Sequence, residues 1–307
     1  DGHTIYNITV DKTGKVAAGD TKLVTGDTVN TAINNAKTDL INNNPLTFAG
    51  DSGTDITRKL GEKLNVKGFM SKPNILICAP TGVTSIEQKA IIQAAEKSGG
   101  GRVYLDFEPK VAAVGAGLDI FKPQGNMVID IGGGTTDIAV LSMGEIVTSR
   151  SLRWAGDKMN QAIASYIKRS KNLLVGQHTA EQIKIQLGTA FEADPTKTMT
   201  VRGRDMVDGL PKQVSINELE VQKALEDGLM SIVAATKEVL EQTPPELSAD
   251  IIDRGIMLTG GGALLKNIDK LITYYLQVPV LKADDPLEAV ANGTGVLLKN
   301  IENHQRH

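Results

Sequence analysis

The sequence predicts an α/β protein preceded by a segment of different composition. Residues 74–79 are a short apolar run, which is followed by a turn, a helical pattern and a second apolar run at 103–105. A β-α-β order with short connections is typical of an α/β layer. Two glycine triplets, at 132–134 and 260–262, each follow an apolar run. Residues 1–68, by contrast, contain no long apolar run and are dense in Thr, Asn, Asp, Gly and Lys.

The overall composition argues against several classes of protein. The 307 residues carry a formal net charge of −3, which gives no support for general nucleic-acid binding. No apolar run approaches the roughly 18 residues of a membrane span. The single cysteine, Cys78, lies within the first apolar run, so we expect a buried thiol and no disulfide within the chain. This length leaves room for two domains with an ample core.

The first glycine triplet is the turn of a predicted β-hairpin. An apolar strand that contains Asp130 leads into it, and Thr135, Thr136 and a second apolar run follow. Three residues without a Cβ let backbone N–H groups approach an anion, as phosphate-binding loops require. Asp130 at the end of the strand is suited to a hydrated Mg²⁺, which takes few protein carboxylates. The residues alone leave two interpretations open, a phosphate loop or a plain hairpin turn that needs positive φ.

The second glycine triplet predicts a strand–turn–helix junction. Residues 255–258 read as a strand, and a helical pattern runs from 263 to 276. A helix that begins at the turn would present free N–H groups and the positive end of its dipole to a nucleotide.

The other elements follow from helix start and stop signals and from short β-prone runs. Asn217 is expected to cap a long helix that Pro244 and Pro245 stop. In chain order we expect helices over 85–97, 110–118, 158–171, 179–187, 217–242 and from 286 onward, and strands over 74–79, 103–105, 146–152, 199–201, 213–216 and 278–281.

Residues 1–68 contain too little apolar surface to bury a core alone, so we expect them to need partner chains or a neighbouring domain. Residues 19–33 resemble the connector and neck segments of trimeric autotransporter adhesins, and residues 46–54, 58–61 and 64–68 are similar to their head and stalk repeats. In that family three chains intertwine to share one core. The resemblance implies a β-rich and helical adhesin-like segment over residues 1–68.

Residues 69–307 resemble the MreB/Mbl family of bacterial actin homologues. The match runs through an ordered set of motifs, which are Lys72-Pro73, Gly82-Val83-Thr84, Glu108-Pro109, Asp130 to Thr136, Ala155-Gly156-Asp157, Arg202 to Asp205, Gly209 to Lys212, Thr243 to Leu247, Asp253 to Ile256, Leu258 to Leu265 and Asp285-Pro286-Leu287. The resemblance implies an actin-like (ribonuclease H-like) ATPase fold. It divides the chain into an adhesin-like segment, 1–68, and an actin-fold region, 69–307, which holds the remainder of the first domain and the second domain.

The resemblance also assigns roles at a nucleotide site. It puts the attacking water beside Glu108 and the metal beside Asp130. The phosphates are assigned to Gly132, Gly133, Gly134 and Thr135, and the ribose and phosphates to the neighbourhood of Gly156 and Asp157. The nucleoside is assigned to Glu181 and Lys184, and the adenosine to Gly260, Gly261, Gly262, Ala263 and Leu264. Simpler explanations exist for three of these. Glu108 is also suited to pair with a helix dipole, Asp157 to cap a helix, and Glu181 with Lys184 to form an i,i+3 surface pair.

The activity implied by the resemblance is ATP hydrolysis with Mg²⁺, coupled to self-association into filaments that guide the cell-wall elongation machinery. The family is cytoplasmic and associated with the membrane. In this chain Phe69-Met70 is too small an apolar patch to anchor a membrane, so membrane contact is unsupported. Trp154 stands where a smaller apolar residue is usual in the family.

One family feature is expected to be missing. The family has a first phosphate hairpin near its N-terminus, and here only Asp51-Ser52-Gly53-Thr54 superficially matches it, without the preceding buried strand. Loss of one charge-stabilising donor typically slows such a reaction about 10²–10³-fold, so we predict weak ATP binding and little hydrolysis. The alternative is a surface adhesin or trimerisation module fused to a catalytically inactive actin-fold domain, and this alternative implies a cell-surface location.

Overall fold

The computed structural model describes residues 74–98 and 101–304. The predicted adhesin-like segment and the turn at residues 51–54 lie outside the described residues. The described residues divide into two compact units, one made of those up to Gly115 together with those from Glu288, and the other of Ala116–Leu287. Among the described residues, no helix is both long and apolar enough to cross a membrane.

The described residues of the first unit form a two-stranded parallel sheet and three helices. In chain order these are β1 (Ile75–Ala79), α1 (Ser85–Lys97), β2 (Val103–Phe107), α2 (Glu108–Gly115) and α8 (Ala289–His304). Thr84 caps α1 in a capping box with Glu87, one residue earlier than the predicted start of that helix. The prediction of a β-α-β layer is confirmed, since β1 and β2 pair in parallel from Ile75 opposite Val103.

Helices α2 and α8 of the first unit touch backbone to backbone. A Cβ at Gly115 would lie 1.7 Å from the carbonyl oxygen of Ala289, and a Cβ at Gly293 would lie 1.9 Å from that of Val111. This approach is possible only for glycine. Helix α2 ends at Gly115, three residues before the predicted end at 118. Cys78 is fully buried under this helix pair, as predicted, with its Sγ 3.1 Å from Thr294 Oγ1.

The second unit is built on a five-stranded mixed sheet of order β10-β9-β3-β4-β5. Its strands are β3 (Asn126–Ile131), β4 (Thr136–Ser142), β5 (Glu145–Leu152), β9 (Ile256–Thr259) and β10 (Val280–Lys282). β3, β4 and β5 form an antiparallel meander, whereas β3 pairs in parallel with β9. Because the carboxyl ends of parallel strands meet at one edge, this pairing carries the two glycine turns to the same edge of the sheet.

A smaller antiparallel sheet and five helices complete the second unit. The sheet has the order β6 (Leu173–Leu174), β7 (Thr198–Asp205) and β8 (Pro211–Asn217). The helices are α3 (Gly156–Lys171), α4 (Gln177–Leu187), α5 (Glu218–Gln242), α6 (Pro245–Arg254) and α7 (Ile268–Leu276). One hydrophobic core unites them, and its fully buried members include Ile129, Ile163, Ile183, Leu225 and Ile268.

Asn217 caps α5 in a capping box with Glu220, which confirms the predicted long helix to Gln242. In the middle of α5, Gly228 makes room for the unusual tryptophan, because a Cβ there would lie 1.8 Å from Trp154 Cε2. The indole ring of Trp154 thus occupies the space that a side chain at position 228 would need.

One helix prediction at the second glycine triplet was wrong, and one helix before the triplet was missed. The helix expected over 263–276 is divided into a 3₁₀ turn, Gly261–Leu264, and α7, because Asn267 adopts a left-handed conformation with φ of 61°. An α-helical N-terminus therefore does not form at the triplet. Helix α6 was not predicted, because Pro244 and Pro245 were taken only as a stop, although proline also suits the first turn of a new helix.

Candidate functional site

The two glycine turns meet at the carboxyl edge of β3 and β9. Asp130 on β3 lies beside Thr259 on β9, and Thr259 Oγ1 donates a hydrogen bond of 2.7 Å to Asp130 Oδ1. Both side chains are buried, Thr259 completely and Asp130 to 4% exposure. A carboxylate that accepts one hydrogen bond from a hydroxyl has further lone pairs for other ligands, which suits the predicted metal role of Asp130.

The second glycine turn packs directly against the end of β3. Gly260 has φ of 79°, and a Cβ there would lie 2.4 Å from the carbonyl oxygen of Ile131. A Cβ at Gly262 would lie 2.1 Å from Ile131 Cγ2. Gly261 between them is exposed, and a Cβ there would meet only the end of the Leu287 side chain, at 3.1 Å. Two glycines of this triplet are therefore needed for packing, and the middle one faces open space.

The first glycine turn is a hairpin turn held by its own backbone. Gly132 N–H donates to the carbonyl oxygen of Thr135 at 2.9 Å, and Gly133 and Gly134 are exposed. Thr135 Oγ1 is buried, and within residues 74–98 and 101–304 no hydrogen-bond partner contacts it. A buried hydroxyl without a partner beside an exposed glycine backbone is suited to an added acceptor such as a phosphate oxygen.

The N-terminus of α3 docks on this turn. Gly156 N–H donates to Gly132 O at 3.1 Å, and Asp157 N–H donates to Gly133 O at 2.9 Å. A Cβ at Gly156 would lie 3.3 Å from Gly132 O, which is tighter than an ordinary contact. Ala155 is the N-cap residue and Asp157 lies in the first turn, so the alternative that Asp157 only caps the helix is wrong.

Helix α4 joins the site through Lys184. Its Nζ donates to the carbonyl oxygen of Gly156 at 3.0 Å, and Glu181 lies one turn earlier on the same face of α4. The helix ends at Gly188, where a Cβ would lie 3.0 Å from Leu265 Cδ1. Leu265 directly follows the second glycine turn, so α4 bridges the neighbourhoods of both glycine turns.

These contacts close a ring of four elements, which we call the site ring. It consists of the first glycine turn (residues 132–135), the start of α3, helix α4 and the second glycine turn (residues 260–264). Every predicted cofactor-binding residue lies on the site ring, and Asp130 lies on the strand that leads into it. Glu108 belongs to the first unit instead, where it begins α2 and is buried to 4% exposure.

Sequence reasoning missed three polar residues of the site. They are Thr259, Asp137 and Asn160. Asp137 is fully buried directly opposite Asp130 in the β3–β4 pair, so the two carboxylates share one face of the sheet. Asn160 lies one turn beyond Gly156 on α3, and its buried Oδ1 has no hydrogen-bond partner in the described part of the chain. The helical spacing of four from Gly156 was a signal for Asn160. The pairing of the two strands around the predicted turn, which puts residue 137 opposite residue 130, was a signal for Asp137.

Comparisons with known proteins identify the family of the chain. A model of the MreB/Mbl protein family matches residues 49–306. The chain belongs to the MreB/Mbl family. The match begins before the predicted boundary at residue 69, in a region outside the described residues. The surface-adhesin alternative receives no support from these comparisons.

Among curated MreB/Mbl proteins, the chain is 60% identical to cell shape-determining protein Mbl of Bacillus subtilis (strain 168) over 240 residues, which are 78% of this chain and 72% of that protein. It is 44% identical to cell shape-determining protein MreB of Escherichia coli (strain K12) over 244 residues, which are 79% of this chain and 70% of that protein.

Solved structures show the same fold. MreB5 of Spiroplasma citri bound to AMPPNP superposes with a TM-score of 0.77 at 32% identity, over 98% of this chain and 89% of that chain. The same protein bound to ADP gives a TM-score of 0.78 at 34% identity, over 98% and 90%. A MamK double helical filament, at 19% identity, gives a TM-score of 0.65 over 82% of this chain and 78% of that chain, and supports the actin-like fold alone.

Proposed function

We propose that this MreB/Mbl-family protein binds ATP with Mg²⁺ on the site ring, self-associates into filaments and helps to determine cell shape. The observation that carries the proposal is the site ring itself, in which two distant glycine turns are joined at the Thr259–Asp130 hydrogen bond and an exposed glycine backbone lies beside the buried Thr135 hydroxyl. The nucleotide-bound MreB5 structures support the ligand class, and the cellular role is supported by the Mbl and MreB relatives, which are cell shape-determining proteins.

The ring suggests a role for each part of the nucleotide. The exposed backbone of the turn at residues 132–135 would receive the phosphates, because its three glycines have no Cβ atom. The open face of Gly261, which also has no Cβ atom, would receive the adenosine. Asp130 and Asp137 would hold the metal on its water shell, which needs few carboxylates when phosphates supply the other ligands. Bound Mg²⁺ would neutralise charge on the β- and γ-phosphates. The role of Glu108 toward the attacking water is supported by the family resemblance alone and by no contact of the site ring.

A titration with ATP tests the proposal, and the chain carries its own reporter. The only tryptophan, Trp154, directly precedes α3, and its carbonyl oxygen accepts a 2.7 Å hydrogen bond from Thr136 Oγ1 at the first glycine turn. We expect ATP with Mg²⁺ to change Trp154 fluorescence saturably. The Asp130→Asn variant keeps the shape of the side chain but loses its charge, so Mg²⁺ should no longer strengthen its ATP binding.

The matched control is Asp119→Asn, which removes an exposed carboxylate paired with Lys122 at 2.9 Å in the same unit. Its affinity for ATP with Mg²⁺ should equal that of the unaltered chain. A fluorescence trace that never saturates, supported by calorimetry without heat of binding, would refute the nucleotide proposal. The same titration gives the absolute affinity and so tests the weak binding that the sequence predicts.

Filament formation is measured separately by sedimentation with and without nucleotide. We propose pelleting that depends on ATP, a cytoplasmic location and action with the cell-wall elongation machinery. A trimer that forms independently of nucleotide and resists salt would favour the adhesin alternative instead.

A further inference from the structure

Behind the site ring lies a polar cluster that none of the assigned nucleotide roles uses. Glu218, the first residue of α5, is 2% exposed although it is a carboxylate. Its Oε1 accepts a 2.7 Å hydrogen bond from Lys266 Nζ, and its Oε2 accepts a 2.6 Å hydrogen bond from the backbone N–H of Asp194. Lys197 Nζ lies 3.8 Å from the same Oε1. A charge this deeply buried is costly unless it is paired, and here both oxygens are satisfied.

The cluster ties together two segments that flank the site ring. Lys266 stands two residues after the second glycine turn, and its backbone oxygen accepts hydrogen bonds from Ala190 N–H at 2.8 Å and from Thr189 Oγ1 at 3.3 Å. Asn267 Nδ2 donates to the carbonyl oxygen of Phe191 at 2.7 Å. The segment at 189–191 directly follows α4, so these bonds join the end of α4 to the end of the second glycine turn. We call Glu218, Lys266 and Asn267, with the backbone groups that they bind, the clasp.

The clasp lies beside one particular joint between the elements of the site ring. The joints at the phosphate end are Thr259 with Asp130 and the start of α3 with the first glycine turn. At the opposite joint, α4 and the second glycine turn meet through the Gly188–Leu265 contact, and the clasp lies directly behind it. The two walls that meet there carry Glu181 and Lys184 on one side and Gly261 on the other. The clasp therefore lies where the two walls of a nucleoside pocket would be joined.

We propose that Glu218 is a positioning residue, which holds Lys266 so that the second glycine turn and α4 keep the separation that a nucleoside requires. This inference rests on the proposed nucleotide function of the site ring. Glu218 touches no ligand in this scheme. Its effect on binding passes through the backbone of Lys266 to residues 260–264.

The test compares two lysines whose acidic partners differ in burial. Lys266→Met breaks the bond to buried Glu218. Lys270→Met is the matched control, because Lys270 Nζ also pairs at 2.9 Å with an acid that follows α4, Glu192, but both side chains are more than half exposed. We expect Lys266→Met to raise the Kd for ATP and for ADP equally, by about tenfold, the lower end of what supporting residues behind ligands cost at metal sites. Lys270→Met should leave both values unchanged.

Further measurements distinguish a positioning role of the clasp from a purely structural role. Lys266→Arg retains the charge and should restore most of the affinity, and kcat at saturating ATP should change less than KM. Glu218→Gln gives a second, independent break of the clasp if Lys266→Met does not fold. A folded Lys266→Met or Glu218→Gln protein with unchanged ATP and ADP affinity, whatever its melting temperature, would overturn the inference and leave the proposed function standing. Absence of ATP binding by the unaltered chain would overturn both.

Discussion

The two glycine triplets look alike in the sequence but do different physical work in the fold. Residues 132–134 form a turn held by main-chain hydrogen bonds, and two of its glycines are exposed. In the triplet 260–262, Gly260 and Gly262 press against Ile131 at distances that no side chain could occupy. The first triplet leaves space for a ligand, whereas the outer glycines of the second remove space between two strands. A glycine motif therefore does not identify a ligand loop until its neighbours are known.

The largest effect should come from filling the space at Gly262. Gly262→Ala places a Cβ 2.1 Å from Ile131 Cγ2, and overpacking of a core typically costs about 1–3 kcal/mol of unfolding free energy. Chemical denaturation measures this loss. Gly261→Ala is the control, because its Cβ meets only a flexible leucine end, and its unfolding free energy should change by less than about 0.5 kcal/mol. Equal stability of the two variants would contradict the division of roles within this triplet.

The reverse pattern is expected at the first triplet. Gly133→Ala adds a methyl group to an exposed turn where a phosphate would approach the backbone, so the melting temperature should hold while ATP affinity falls roughly tenfold, or about 1.4 kcal/mol. Fluorescence of Trp154 and a thermal melt measure the two quantities on one sample. Gly295→Ala, with nothing within 4 Å of its added Cβ, provides a glycine control outside the site ring. A variant that loses stability but keeps its affinity would reverse the proposed contrast.

The hydrogen bond that joins the two turns should contribute a smaller amount. Thr259→Val keeps the shape but removes the donor to buried Asp130, and a loss of about 0.5–1.5 kcal/mol of unfolding free energy is typical for one such hydrogen bond. Thr259→Ser retains the hydroxyl and should lose less. If valine and serine destabilise the protein equally, the lost methyl group and not the hydrogen bond is responsible.

The smallest effect is a pH dependence at the clasp. Burial alone would raise the pKa of Glu218, but the hydrogen bonds from Lys266 and from the Asp194 N–H outweigh it, and with the nearby Lys197 charge they lower the pKa below its ordinary value of 4.5. A carboxyl group with a lowered folded-state pKa stabilises the fold above its unfolded pKa and loses this contribution as pH falls through the folded value. We therefore expect the stability difference between the unaltered chain and Glu218→Gln to be constant near neutral pH and to shrink below pH 4.5.

The basic partner gives the opposite sign. The hydrogen bond to Glu218 raises the pKa of Lys266 above its ordinary value of 10.5. Its contribution is complete below that value and disappears as pH rises through the folded pKa. Denaturation curves of Lys266→Met and the unaltered chain should therefore converge in strong alkali. A constant difference across the whole pH range would show that the ion pair contributes through packing alone.

The sequence by itself determined the local elements and the identity of most site residues. Periodicity and caps predicted α1, α3 and α5 closely, because an amphipathic stripe and an N-cap act within a few residues of each other. The family motifs were sufficient to select the residues of the site ring. Local chemistry misled at Asn267, where a left-handed residue interrupts the predicted helix, and at Pro245, which starts a helix instead of ending one.

Only the tertiary structure decided how the pieces meet. Nothing within residues 255–265 reveals that β9 lies beside β3, that Thr259 reaches Asp130, or that Gly262 must be small because of Ile131. Nor does the segment around Asn217 indicate that Glu218 binds a lysine 48 residues away. These relations depend on strand pairing and side-chain burial between distant parts of the chain, whereas hydrophobic periodicity and capping record only what each segment does with its own neighbours.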